Sequence, residues 1–174
     1  GSAMILTRQW AMPSAHTFAI KPIKTLLSEH IQQGVIVDPF AGYHSPGTLT
    51  NDLDPHAPTL CHKDAIDWLT GLEAQIADTV LYDPPYSITQ ATQLYGGRGK
   101  NLLGLSPGNM KYWATVKNEL ARILKPDGIA ICCGWSSMGL GLSRGFTMTH
   151  VLLVPHGGSK NDTIVTVERK VITV

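Results

Sequence analysis

The heptapeptide Val80-Leu81-Tyr82-Asp83-Pro84-Pro85-Tyr86 constrains the fold more than any other stretch. Its first three residues favour a buried strand, and the two prolines end that strand. Proline fixes φ, offers no N–H to a sheet and holds the residue before it extended. A carboxylate, free backbone carbonyls and an aromatic ring are left at the strand's C-terminal end. In an open α/β sheet that end is where ligands bind. Parallel neighbours for such a strand need crossover connections.

The chain supplies both in order. Residues 6–19 mix Arg, Trp, Pro, His and Phe without periodicity and read as an irregular arm. Lys21-Pro22 opens a helix, proline being tolerated in a first turn. Ile23, Leu26, Leu27 and Ile31 follow at helical spacing before Gly34. Residues 35–37 make a short buried strand that stops at Asp38-Pro39, and residues 42–47 are a loop rich in turn formers. A second strand is expected over 48–53, a short third near Leu60, a helix over 65–72 and the opening strand over 79–82. Residues 87–108 are polar and hold five glycines, a length at which loops in compact domains are functional or disordered. Residues 110–124 predict a helix with Trp113, Val116, Leu120 and Ile123 on one face. Lys125-Pro126-Asp127-Gly128 ends it, and a strand over 129–133 follows. A glycine-rich connection over 135–146 leads to strands at 149–154 and 163–168, joined as an antiparallel hairpin. Strands alternating with helices, then a hairpin, predict an α/β chain with a mostly parallel twisted sheet and an antiparallel end.

Two motifs carry the chemistry. Asp38-Pro39-Phe40-Ala41-Gly42 follows the first strand of the alternating series, where a small residue and a glycine let backbone approach a ligand closely. Asp83-Pro84-Pro85-Tyr86 follows downstream. Together, and in this order, they resemble the cofactor and catalytic motifs of the amino-directed DNA methyltransferases. The order of elements is similar to the Rossmann-like methyltransferase fold over nearly the whole chain. The resemblance implies transfer of a methyl group from S-adenosylmethionine to the exocyclic N6 of adenine, with Asp83, Pro84, Pro85 and Tyr86 catalytic. It implies that Asp38, Pro39, Phe40, Ala41 and Gly42 bind the cofactor, with Thr17 and Lys21 near its carboxylate end. Asp52 matches the acidic residue that takes the ribose hydroxyls, since a carboxylate can accept two hydrogen bonds; Asp54 is the alternative. Asp64 matches an acceptor for the cofactor's adenine amino group, and its position before Ala65 also suits a helix N-cap. Cytosine N4, an adenine in RNA, or a cofactor- or DNA-binding module without turnover are the alternative functions.

One segment departs from the family pattern. Members usually continue with Ser-Gly-Thr and a full helix, whereas this chain continues Tyr43-His44-Ser45-Pro46-Gly47-Thr48. Only about ten residues separate Gly42 from Asp52, fewer than the dozen or so that a crossover takes, so the helix is absent or reduced to a turn.

Composition narrows the setting. A charged content of 16% and a net charge of +1 leave any phosphate-binding surface to a local patch. Tyr95, Arg98 and Lys100, on one glycine-rich loop, and Arg144, on the other, are the candidate contacts to DNA, in duplex or single strand. No folded target-recognition domain fits between Asp38 and Asp83, so residues 4–174 are expected to form one domain with low sequence specificity. A homodimer or a partner subunit could supply further contacts. Gly1-Ser2-Ala3 reads as an expression scar. Three cysteines, two of them adjacent, imply no disulfide framework and suit a reducing, cytoplasmic setting. No apolar run is long enough for a membrane span, and the histidines lack metal-ligand spacing, so no metal is expected.

Overall fold

In the computed structural model, residues 3–85, 110–158 and 161–171 are described. Their strands are β1 (Ile5–Arg8), β2 (Ile36–Asp38), β3 (Leu49–Thr50), β4 (Ala77–Tyr82), β5 (Leu124–Gly134), β6 (Phe146–Val154) and β7 (Thr163–Lys170). The helices are α1 (Lys21–His30), α2 (Ala65–Thr70) and α3 (Met110–Ile123). All seven strands join one sheet in the order β1-β6-β7-β5-β4-β2-β3. Every pairing is parallel except those of β7, which lies antiparallel between β5 and β6. The expected parallel sheet with an antiparallel terminal hairpin is therefore present.

Side chains alternate across a strand, and the alternation assigns the helices to faces. Val80 and Tyr82 of β4, with Ala130 and Cys132 of β5, pack with α2 and α3. Leu81, Ile131 and Cys133 turn to the other face and pack with α1. In α3, Tyr112, Val116, Leu120 and Ile123 are the buried stripe. Trp113, assigned to that stripe from spacing, is only partly buried and packs at its edge. Pro22 sits in the first turn of α1, whose buried side chains are Pro22, Ile23, Leu26 and Leu27.

Several expectations are corrected. The arm over residues 6–19 is not wholly irregular: Ile5–Arg8 pairs parallel with β6, Leu6 opposite Val151. All four residues of this edge strand are exposed, so no burial pattern marked it. The second strand is two residues long, and the third is a single bridge between Asn51 and Cys61. Asn51 explains why so little pairing suffices. Its amide donates to the carbonyls of Pro39 and Lys63, and its oxygen accepts from Lys63 N–H, tying three segments together. No helix separates Gly42 from β3, as the short spacing required.

At the C-terminal edge of the parallel strands, β2 ends in Asp38, β4 is followed by Asp83, and β5 ends in Gly134. Among the described residues, no helix is long and apolar enough to cross a membrane.

Candidate active site

Asp38 closes β2 fully buried. Its carboxylate accepts from Phe40 N–H at 3.2 Å and from the Ser45 hydroxyl at 2.5 Å. Burial pushes its pKa up to about 7, against the Ser45 bond, and the nearby charge of Asp83 adds to the rise. Ser45 lies in the stretch that departs from the family pattern. With the helix gone, this hydroxyl holds the loop onto the strand end.

The loop then presents Ala41 and Gly42 to a cavity. Gly42 has φ +57, and a Cβ placed on it meets nothing within 4 Å. Its N–H donates to Asp52 at 2.8 Å, and the other Asp52 oxygen accepts from Asp54 N–H at 2.9 Å. Burial raises the Asp52 pKa, opposed by those two bonds. Each carboxylate oxygen has a second lone pair, so Asp52 retains acceptor capacity. Asp54 accepts instead from the Tyr43 hydroxyl at 2.6 Å and from His56 N–H. Asp52 lines the cavity and Asp54 does not, which separates the two aspartates that sequence left open.

This first cavity has a volume of about 50 Å³ and is walled by residues 15–18, residues 40–44, Asp52, Asp83 and Pro85. Thr17, Phe40, Ala41, Gly42 and Asp52 are thus brought together as the motifs implied. Lys21 is exposed, and neither it nor Asp38, Pro39 and Asp64 belongs to the wall. Asp64 caps α2, accepting from Ile66 and Asp67 N–H, while its second oxygen takes the Tyr112 hydroxyl at 2.8 Å. Ala15, His16, Tyr43 and His44 are wall residues that no motif flagged, and Phe18 lies in the segment from Thr17 to Lys21 expected at the cofactor's carboxylate end. The His16 and His44 rings meet at 4.4 Å.

Asp83 is half-buried. Burial lifts its pKa to about 7, opposed by a hydrogen bond from Thr17. On its other side a second cavity, of about 170 Å³, opens between the ends of β4 and β5. Pro84 and Pro85 line it, so Pro85 borders both cavities. Trp113 and Lys117 of α3 and Trp135 and Gly139 of the connection after β5 complete much of its wall. Tyr86, Tyr95, Arg98 and Lys100 lie outside the described residues. The Arg144 guanidinium donates to Asn118 and to the Leu140 carbonyl, which fastens the connection after β5 to α3.

No protein-family model and no curated protein sequence matches the chain. Solved structures do match. The 1,6-didemethyltoxoflavin-N1-methyltransferase of Burkholderia thailandensis, with its ligand and S-adenosylhomocysteine bound, superposes with a TM-score of 0.57 at 15% identity, over 91% of this chain and 79% of that one. The N-methyltransferase NodS of Bradyrhizobium japonicum gives 0.52 at 11% identity, over 87% and 93%. PH0851 gives 0.51 at 14% identity over 85% of this chain, which spans only 45% of that protein. A Streptococcus thermophilus structure is spanned to 65%. With the strand order above, these likenesses define the class of fold: a Rossmann-like methyltransferase fold.

Proposed function

We propose that the chain transfers a methyl group from S-adenosylmethionine to the exocyclic N6 amine of adenine in DNA, with low sequence specificity. The observation that carries the reading is the position of Asp83-Pro84-Pro85 between two cavities, one walled by the Phe40-Ala41-Gly42 loop and Asp52, the other by aromatic side chains.

The lining of the first cavity carries groups that suit part of the donor, its volume of about 50 Å³ being too small for the whole of it. A Cβ at Gly42 would project into open space, so the glycine leaves room for a ligand against backbone. Asp52 keeps lone pairs for two ribose hydroxyls, and the residues from Ala15 to Phe18 cover the far side. S-adenosylmethionine supplies an electrophilic methyl group.

The chain's own residues prepare the acceptor. An exocyclic amine is a weak nucleophile because its lone pair is delocalised into the ring. Asp83 and the Pro84 carbonyl accept its two N–H groups, drawing the nitrogen towards tetrahedral geometry and freeing that lone pair. The rigid proline pair fixes both acceptors before the amine arrives, so rate comes from positioning and electrostatics. Methylation leaves the nitrogen cationic and the donor as a neutral thioether; the nitrogen's proton, now acidic, then passes to the Asp83 carboxylate or to water, so no strong base is needed beforehand. Tyr86 stacks on the adenine, which reaches the pocket flipped out of a duplex or from a single strand.

Labelled methyl transfer to a random-sequence duplex, with nucleoside analysis and mapping of the modified positions, tests this. N6-methyladenine in many contexts is expected; label on cytosine, on RNA alone, or at a fixed motif of four or more base pairs would refute the corresponding part. A cofactor-binding module without turnover is the second reading, favoured by the missing helix after Gly42. Donor binding without transfer to any nucleic acid would establish it.

A further inference from the structure

The edge of the sheet at β1 is apolar, and its pairing with β6 runs on past the strand itself. Gln9 and Ala11 N–H donate to the carbonyls of Leu153 and Pro155 at 2.9 and 3.1 Å. Backbone groups alternate in direction along a strand, so Ile5, Thr7, Gln9 and Ala11 turn theirs towards β6. The N–H and C=O of Met4, Leu6, Arg8 and Trp10 therefore point outward, and among the described residues no strand lies beyond β1.

Monomeric proteins blunt such edges with lysine, proline, a bulge, a very short strand or a covering element. The opposite edge, β3, is two residues long. By contrast, β1 pairs without a register shift, and from Met4 to Met12 the chain holds no proline and one charge, Arg8. Met4, Ile5, Leu6 and Trp10 are between 49% and 61% exposed. Alternation puts Ile5 on one face of the sheet and Met4, Leu6 and Trp10 on the other. A helix laid on this edge covers one face. An added strand meets both faces and takes up the outward backbone groups.

We propose that the added strand is β1 of a second copy of this chain, paired antiparallel about a two-fold axis with Leu6 of one copy opposite Leu6 of the other. An edge open in one copy is open in every copy, and a two-fold contact uses one patch on both and then closes. The Leu6 pair exchanges two N–H···O bonds. Met4 falls opposite Arg8 and Ile5 opposite Thr7, so apolar groups meet apolar groups or the Arg8 stem. The two Arg8 charges stand about 13 Å apart, four residues of strand, which is beyond the Debye length of roughly 8 Å. The apolar side-chain surface covered is on the order of 500 Å² per copy. Interfaces totalling less than about 1,200 Å² belong to the weak, transient class, so the dimer forms and dissociates with concentration. Antiparallel pairing turns the C-terminal edges of the two parallel sheets in opposite directions. Each copy keeps its own cavities, and the pairing does not depend on the methyl-transfer reading.

Sedimentation velocity of the full chain between about 1 and 100 μM tests this. A monomer–dimer equilibrium with a Kd on the order of 10 μM and no larger species is expected. Leu6→Pro removes an outward N–H and no bond to β6, and should weaken the dimer about tenfold or more. Leu6→Lys sets two ammonium groups opposite each other and should do the same, which keeps the test open if the proline variant fails to fold. Met4→Glu meets Arg8 of the other copy and should tighten the dimer about threefold at low salt, a gain lost in 1 M salt. A chain that stays monomeric to about 100 μM overturns the proposal, as does a dimer indifferent to both Leu6 variants. Species that keep growing with concentration overturn the closed two-fold contact. A dimer loosened by Met4→Glu overturns the pairing of Leu6 with Leu6.

Discussion

Replacing Asp83 with Asn should stabilise the ligand-free protein and weaken, without abolishing, the acceptor it offers a target amine. The Asp83 pKa is raised from an ordinary 3.8 to about 7, burial outweighing the bond from Thr17. In the unfolded chain the carboxyl ionises near 3.8, so between pH 4 and 7 the folded state binds more protons than the unfolded one. The sign follows: stability falls as pH rises through that window and levels off above about pH 7. At about 1.4 kcal/mol per pKa unit, the whole displacement corresponds to about 4 kcal/mol. Asp83 is only half-buried, and solvent screening reduces this to about 2 kcal/mol. Asn has the same shape, never ionises and still accepts from Thr17. In a chain of this length about 2 kcal/mol is a rise in Tm of roughly 4–8 °C, expected at pH 8 and largely absent at pH 4. Thermal unfolding followed by circular dichroism at both pH values measures it, with methyl transfer assayed on the same preparation. A shift of equal size at both pH values, or a destabilised variant at pH 8, would refute the reasoning.

Asp83→Ala is expected to lower methyl transfer by a factor of about 10² or more, with donor binding retained; Asp52→Ala should lose donor binding instead, and equal binding losses in both would contradict the division of roles. Ser45→Ala leaves the buried Asp38 carboxylate without its 2.5 Å donor and should cost about 1–3 kcal/mol in urea unfolding; no measurable loss would mean that the loop is held by other contacts. Gly139 has φ +56 and a Cβ there would run into the Glu168 carboxylate, so Gly139→Ala should cost more than about 1 kcal/mol; a variant of unchanged Tm would show that the connection after β5 gives way freely.

Local chemistry fixed a good deal of this protein. Apolar runs ending in Asp38-Pro39 and Asp83-Pro84-Pro85 state where strands stop, because proline cannot continue a ladder in either register. The spacing from Gly42 to Asp52 excluded a helix by length alone, and Asp64 before Ala65 announced its cap. These depend on neighbours in sequence, so sequence holds them. Pairing partners are another matter. Ile5–Arg8 is exposed along its whole length, and only the accessible edge of β6 makes it a strand. Tyr112 displaces Trp113 from the buried stripe of α3 because its hydroxyl reaches Asp64 across the gap to α2. Asp52, not Asp54, lines the first cavity and takes the Gly42 N–H, while Asp54 takes the Tyr43 hydroxyl. Arg144 reads in sequence as a free cation on a glycine-rich loop, yet Asn118 and Leu140 take its guanidinium. Charge composition is local, but what a charge is spent on depends on residues brought beside it from elsewhere in the chain, and only the tertiary structure decides that.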